Sequence, residues 1–443
     1  MKSMDLLHDE PKKLFFKYLL PSISATLVTS IYVLADTIMI GKGISASALA
    51  ALNLILPIFT LLFGTGLLLG VGGAILMSVA NGAGNKKLAN TYFTNSVVSG
   101  AVIAILYTIL GRTFLEKIGY LLGCTESNIG LFTSYGVYLV SFAPVFIFSS
   151  LLQAFVRNDG APKTSMIAVI SGGVTNIVLD YIFIFNMDMG MAGGAIATVL
   201  GSTVTCLILL THFLSKRNTM KLVRGALSLQ LIKKIIHSGF PSFLVEMASG
   251  LVTLLFNLQL LRYLGELGVT VYSVIANVAI VAMSLFNGVS QGAQPIMAAN
   301  FGAKQLERVI IVRRLGGKVV FVIGVILFVT GFCFPQFLVN IFVDATPEIM
   351  SLATIAIKIH FVAFLMMCLN VFYTTYFQSI LKPKCSMLIC LLRGIIICSV
   401  MIYILPIAFG IIGIWGVIPL TELITLGITI LLVKKADSKP VEG

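Results

Sequence analysis

The sequence predicts an all-α polytopic membrane protein, with twelve transmembrane helices in two pseudo-symmetric six-helix lobes. Three observations carry this. Of 443 residues, 58% are hydrophobic and only 11% charged, with a mean hydropathy of +1.04; an ordinary soluble domain carries about 25% charged residues. About twelve apolar runs approach or exceed the roughly 20 residues needed to cross a hydrocarbon core of about 30 Å. The second half of the chain repeats landmarks of the first at a nearly constant offset.

The runs cover residues 14–40, 48–77, 89–110, 129–156, 164–185, 191–214, 239–261, 268–299, 316–343, 350–381, 385–406 and 411–433. In lipid each backbone N–H and C=O must be satisfied within the segment, so each run is read as a helix. The first run is too long for a signal-peptide core and lacks a small-residue cleavage site, so it is expected to be retained. Glycine-rich stretches at 64–73 and 190–201 place small residues at near-helical spacing, which suits close helix approach. Neither holds the Lys-Ser/Thr of a nucleotide cradle. Residues 215–238 form a basic junction. Within it, 227–236 reads either as an amphipathic helix on the membrane surface, using Lys233 and Lys234, or as a plain connection. The expected division is a first lobe at 1–214, a cytoplasmic linker at 215–238 and a second lobe at 239–443.

A net charge of +13 raises the question of nucleic acid, and the distribution answers it. With the N-terminus inside, the basic residues of the inner segments run from Lys2, Lys12 and Lys13 through Lys86, Lys87, Lys216, Arg217, Arg313 and Arg314 to Lys434, Lys435 and Lys439. The outer segments hold only Lys42, Arg112, Lys117 and Arg262. That asymmetry is the positive-inside pattern for two cytoplasmic termini, so the charge reports topology and no nucleic-acid partner is expected. The seven cysteines form no CxxC and have no histidine at ligand spacing, and they read as packing residues. With four histidines and neither HExxH nor GxSxG, the chain is not expected to be an enzyme or to hold a cofactor. A pore would need charge rings or a filter loop, and neither is visible.

At an offset of 220 residues Pro21-Ser22 meets Pro241-Ser242, Gly72 meets Gly292, Met77 meets Met297, Gly82-Ala83 meets Gly302-Ala303, and Gly190-x-x-Gly193 meets Gly410-x-x-Gly413. At 221, Pro162-Lys163 meets Pro383-Lys384. A six-helix unit has an even number of crossings, so both copies start on the same side and the pseudo-axis runs along the membrane normal.

The acids break this symmetry. Asp36 and Asp180 lie inside apolar runs, where a charge costs roughly 2.5–3.5 kcal/mol on insertion scales and faces a bundle interior or wet cavity by default. Their counterparts are Phe256 and Met401, while Glu246 and Glu422 of the second half face Thr26 and Ser202. Tyr32 and Asn176 precede the two aspartates by four residues, on the same helix faces. Carboxylates, an amide and a hydroxyl are the oxygen set that suits a hard cation, and two carboxylates in close approach also hold a proton. Glu422 is expected to pair with Arg393 or a backbone group, and Lys358 and His360 are expected near the outer end of their helix, where Lys can snorkel. Met366-Met367 and Phe372-Tyr373 read as lining an apolar cavity or as facing lipid.

The stretches Ala35-Asp36-Thr-Ile-Met-Ile-Gly41 with Ala48-Leu-Ala-Ala-Leu, Gly160-Ala-Pro-Lys163, Asn176-x-x-x-Asp180, Gly193-Gly-Ala-Ile-Ala197-Thr198, Gln291-Gly-Ala-Gln-Pro295 and Asn300-Phe-Gly-Ala303 resemble the multidrug and toxic compound extrusion (MATE) transporters, from Pro21 to about Val433. Within that family the chain looks most similar to the bacterial branch of staphylococcal-type pumps. The resemblance implies an antiporter that exports cationic or amphipathic drugs in exchange for inward H+ or Na+, by alternating access of two lobes. It implies a cation-coupling set of Asp36, Asn176, Asp180 and Thr198, with Tyr32, Gln153, Glu246 and Asn370 lining the cavity. In the tenth helix, where some members carry an acid, this chain offers Asn370. The expected setting is a monomer in the bacterial cytoplasmic membrane. The rival is a flippase for a lipid-linked saccharide, which should show a strongly cationic central cavity.

Overall fold

The computed structural model describes residues 5–342 and 346–438. Lys2, Lys439 and the last residue of the 316–343 run lie outside them. Among the described residues there are helices and no strands. In order they are α1 (Pro11–Gly43), α2 (Ala46–Gly82), α3 (Lys86–Leu121), α4 (Ile129–Ser141), α5 (Ala143–Asn158), α6 (Pro162–Asp180), α7 (Gly190–Leu210), α8 (Leu229–Leu264), α9 (Glu266–Gly302), α10 (Leu306–Cys333), α11 (Pro335–Phe342), α12 (Pro347–His360), α13 (Phe364–Ser379), α14 (Pro383–Leu391) and α15 (Ile397–Ser438).

Their boundaries follow from local chemistry. Proline, which lacks the N–H that a first turn leaves unbonded, stands in the first turn of α1, α5, α6, α12 and α14. Ser45 and Thr346 cap α2 and α12 by accepting from Ala48 N and Ile349 N. The run at 129–156 is one span bent by 55° between α4 and α5, next to Pro144. α12 and α13 continue through a tight turn at Phe361–Ala363 into a second composite span. The helical stretch Pro383–Ser438 has 56 residues, about 84 Å at 1.5 Å per residue, far beyond one crossing. It breaks at Gly410, whose φ of 57° and ψ of −138° are non-helical, into the last two spans.

Two expectations change. The run at 316–343 is not one helix: α10 starts ten residues earlier and ends at Cys333, and Pro335 begins the short α11. Residues 229–236 form neither a separate surface helix nor a plain connection. They are the first turns of α8, continuous through Pro241, with exposed Lys233 and Lys234 on one side and buried Ile235 against Gly72 of α2 on the other. The preceding strand of chain is strapped to α3: Asn90 accepts from Lys221 N, Thr94 from Val223 N and Asn95 from Ser228 N, while Asn95 Nδ2 donates to Ala226 O.

The repeat is visible in the backbone itself. Left-handed residues recur at the sequence offsets: Gly84 with Lys304, Gly160 with Leu381, and Gly190 with Gly410. The turns around them repeat their hydrogen bonds, Asn85 N to Ala80 O matching Gln305 N to Asn300 O, and Ala161 N to Val156 O matching Lys382 N to Phe377 O.

The two bundles meet through α1 and α2 on one side and α8 and α9 on the other. An atom added as Cβ at Gly239 would lie 1.8 Å from Leu68 O, and one at Gly302 would lie 2.0 Å from Val79 O. Only glycine permits those backbones to touch. Thr26 Oγ1 donates to Ser284 O at 2.7 Å, the hydroxyls of Ser30 and Ser284 are in direct contact, and Arg157 Nη1 donates to Gln291 Oε1 at 2.8 Å. The glycine contacts and the Arg157–Gln291 bond lie in the half of the molecule that bears both termini, which share one face because the number of crossings is even, and Thr26 and Ser30 meet Ser284, the counterpart of Gly64, at about mid-depth. Gly64 against Phe243 and Glu246 marks about mid-depth. Beyond that level the described residues make no hydrogen bond across the seam. The seam is therefore sealed on the terminal face.

Candidate cation site and its surroundings

The site is built where α1, α4, α6 and α7 of the first bundle converge. Gly172 and Gly201 let α6 and α7 approach until a Cβ at Gly172 would stand 2.6 Å from Gly201 O. Asn176 and Asp180 follow on α6 at one-turn spacing, and both are buried, Asp180 completely. Immediately after Asp180 the helix widens into a π turn, Tyr181–Asn186, a geometry that leaves a backbone turn without its usual register and recurs at functional sites. Half-buried Asp36 comes from α1 and stands close enough to Asp180 for the two carboxyl groups to interact.

Around this pair the polar side chains are ordered by Thr198 of α7. Its hydroxyl donates to Gly194 O at 2.9 Å, so its oxygen is free to receive Asn176 Nδ2 at 3.4 Å and to meet Tyr135 Oη at 3.2 Å. With Nδ2 used in this way, Asn176 Oδ1 is left without a donor, as are Asp36 Oδ1 and both oxygens of Asp180. Buried oxygens of this kind are costly unless something positive meets them. Tyr32, Gln153, Asn176 and Thr198 line a single small cavity of about 40 Å³, together with Ser149, Gly172, Ser202 and Thr205.

The structure thus brings Asp36, Asn176, Asp180 and Thr198 together, with Tyr32 and Gln153 on the adjoining cavity. Glu246 stands apart, half-buried on α8 at the seam opposite Gly64, and makes no ion pair among the described residues. Asn370 does not reach the cleft. It is fully buried inside the second bundle, donating to Glu422 Oε2 at 2.7 Å and accepting from Thr429 at 3.0 Å. Glu422 pairs with Arg393, Nη2 to Oε1, at 2.6 Å. Lys358 lays its ammonium 5.5 Å from the Phe332 ring, and His360 is buried with Nδ1 unpartnered.

Sequence reasoning missed Tyr135, an unremarkable residue in the 129–156 run whose hydroxyl completes the Thr198 cluster. It also missed Arg157 and Asp159. Asp159 is buried on the terminal face, bonded to His212 Nε2 at 2.8 Å, to Thr219 N at 3.0 Å and to the Thr219 hydroxyl. The signal available was a charged pair two residues apart at the end of an apolar run.

The MatE family profile matches residues 21–182 and 241–409, once in each bundle. Among characterised proteins, the chain is 27% identical over 429 residues to the multidrug export protein MepA of Staphylococcus saprophyticus, spanning 94% of this chain and 93% of that one. It is 25% identical over 454 residues to MepA of Staphylococcus aureus, spanning 100% and 98%. A solved structure of the outward-facing conformation of a multidrug resistance MATE family transporter superposes with a TM-score of 0.92 over 98% of each chain, at 22% identity. With a match in both halves and the same fold, the chain belongs to the MatE family.

Proposed function

We propose that this protein is a secondary antiporter of a bacterial cytoplasmic membrane, exporting cationic and amphipathic drugs in exchange for inward H+ or Na+. The observation that carries the reading is the Asp36–Asp180 pair, with three carboxyl oxygens and Asn176 Oδ1 buried and lacking donors beside a polar cavity. A proton shared between the carboxyls answers the two acids. A sodium ion answers them and Asn176 Oδ1 as well, using the oxygen ligands that a hard cation prefers. Either way the site gains one positive charge, which weakens its hold on an organic cation in the same bundle. Binding that favours one arrangement of the bundles over the other then couples the two fluxes.

The basic residues on the face that bears both termini support a cytoplasmic position for them; on that reading the sealed seam is the inner gate and this conformation is the one from which drug leaves. Glu246 at mid-depth of the seam supplies a negative floor for a cationic substrate. A flippase for an anionic lipid-linked saccharide calls for the opposite sign there. The similarity to multidrug export proteins over the whole length supports drugs as the cargo, and the chain is proposed to act as a monomer.

The test is ethidium uptake into inverted vesicles, which corresponds to export from the cell, under an imposed pH gradient and, separately, an imposed Na+ gradient. Asp36→Asn and Asp180→Asn are each expected to abolish gradient-driven transport, with membrane levels unchanged. Retained efflux in both variants would sink the assignment, and the gradient that drives wild-type efflux identifies the coupling ion.

A further inference from the structure

The second bundle carries a charged constellation that the coupling site does not use. Arg393 sits on its own π turn, Leu392–Ile396, and grips Glu422 Oε1 with Nη2 at 2.6 Å and Nε at 3.0 Å. Asn370 holds the other carboxylate oxygen, and Thr429 holds Asn370. Both oxygens of Glu422 are engaged, and the pair is 10% and 4% exposed. The remaining titratable groups that face it are the thiols of Cys368, Cys390 and Cys398.

The internal repeat says where this constellation stands. Under the offsets that align the left-handed residues, Ser149, Gln153, Gly172, Ser202 and Thr205 of the first bundle's cavity correspond to Asn370, Thr374, Arg393, Glu422 and Thr425. Where the first bundle has hydroxyls, an amide and a glycine around free space, the second has a guanidinium laid against a carboxylate. One new positive and one new negative charge fill the equivalent volume.

We propose that Arg393 is a tethered cation: it occupies in the second bundle the place beside which an exchangeable monovalent cation binds in the first, and so confines ion coupling to one site per chain. The inference rests on the reading of Asp36 and Asp180 as the coupling site. A guanidinium stays protonated at any physiological pH and cannot leave its own side chain. A carboxylate held by it in two hydrogen bonds stays ionised and has no vacancy for a proton or a sodium ion. Without the arginine, Glu422 is a buried carboxylate with an amide and a hydroxyl near it and no counter-charge. Such a group takes up a proton or a small cation.

Difference infrared spectra of purified protein in liposomes, with and without Na+ and between acid and alkaline buffer, count the carboxyls that respond. Apart from the exposed carboxyls and Glu246, whose response is common to all variants and cancels between them, wild type is expected to show only the response that Asp36→Asn/Asp180→Asn removes. Arg393→Gln is expected to add one further responding carboxyl, lost again in Arg393→Gln/Glu422→Gln, whereas Arg393→Lys keeps a tethered charge and adds none. No added response in a folded Arg393→Gln protein overturns the proposal, as does loss of a wild-type response in Glu422→Gln. Should Arg393→Gln fail to fold, the neutral double variant decides: an unchanged wild-type response sustains the proposal, and a diminished one overturns it. If Asp36→Asn/Asp180→Asn removes nothing, the coupling-site reading fails separately, and the Arg393→Gln gain still reports on the second bundle.

Discussion

Thr198 is the residue through which the candidate site is arranged, since one hydroxyl oxygen takes both Tyr135 and Asn176 while its proton is spent on Gly194 O. Thr198→Val keeps the shape and removes those bonds. A hydrogen bond of this kind contributes about 0.5–1.5 kcal/mol, so the apparent affinity for the coupling ion is expected to fall up to roughly tenfold while maximal efflux persists. The ion dependence of ethidium efflux measures this. Asp159 is expected to matter for folding rather than for transport chemistry. Asp159→Ala strips the buried His212 and the Thr219 N–H of their acceptor, at about 1–3 kcal/mol for each unsatisfied group, and a lowered midpoint of thermal unfolding in detergent would show it. At this scale the sequence was legible wherever a residue was expensive: Asp36 and Asp180 stood out because an acid in an apolar run demands compensation. Tyr135 and Thr198 cost little in a helix, so composition did not mark them. Asn370 was placed by analogy on a cavity, but its partner Glu422 draws it inward.

Among the elements, the helices themselves were readable because lipid leaves the backbone no alternative, and ten of the described stretches are long and apolar enough to cross, or eleven with the bent α4–α5 pair. Breaks were readable only where proline or glycine caused them, as at Pro335 and Gly410. The start of α8 was not, because these turns run against α2, with the Ile235 carbonyl close to Gly72 and the Ile235 side chain buried in the core, rather than lying on a membrane surface. The glycine contacts of α2 with α8 and α9 lead to a prediction of their own. In Gly239→Ala the new methyl would stand 1.8 Å from Leu68 O, so the sealed arrangement is strained and the bundles should part on the terminal face more often. Faster labelling of a Ser284→Cys reporter by a membrane-impermeant thiol reagent added on that face is the expected result, and an unchanged rate would refute it.

Across the whole molecule, the offset of about 220 residues foretold two like bundles but not how they sit together. Their contacts join residues far apart in sequence, such as Thr26 with Ser284 and Arg157 with Gln291, and no local pattern encodes them. Because Ser30 and Ser284 touch across the seam, Ser30→Cys/Ser284→Cys in a background without other cysteines should close a disulfide under oxidation. Efflux is expected to stop when the bond forms and to return on reduction, since alternation requires that seam to open. Undiminished efflux in the oxidised protein would show that transport does not pass through opening there.

If the Arg393–Glu422 pair leaves one coupling site per chain, as proposed above, it also sets a limit on how hard the pump can work. One counter-ion per turnover means that the work available is one ion's electrochemical step, about 1.4 kcal/mol for each tenfold of concentration gradient. A singly charged drug swapped one for one against that ion moves no net charge, so membrane voltage neither helps nor hinders, and the drug can be driven uphill only to the same ratio as the ion runs down. A second exchangeable ion would have squared that ratio and made every cycle electrogenic. On the proposal made above, a permanent charge held where a mobile one would sit gives up steepness of expulsion, and each drug molecule then costs the gradient one ion and not two.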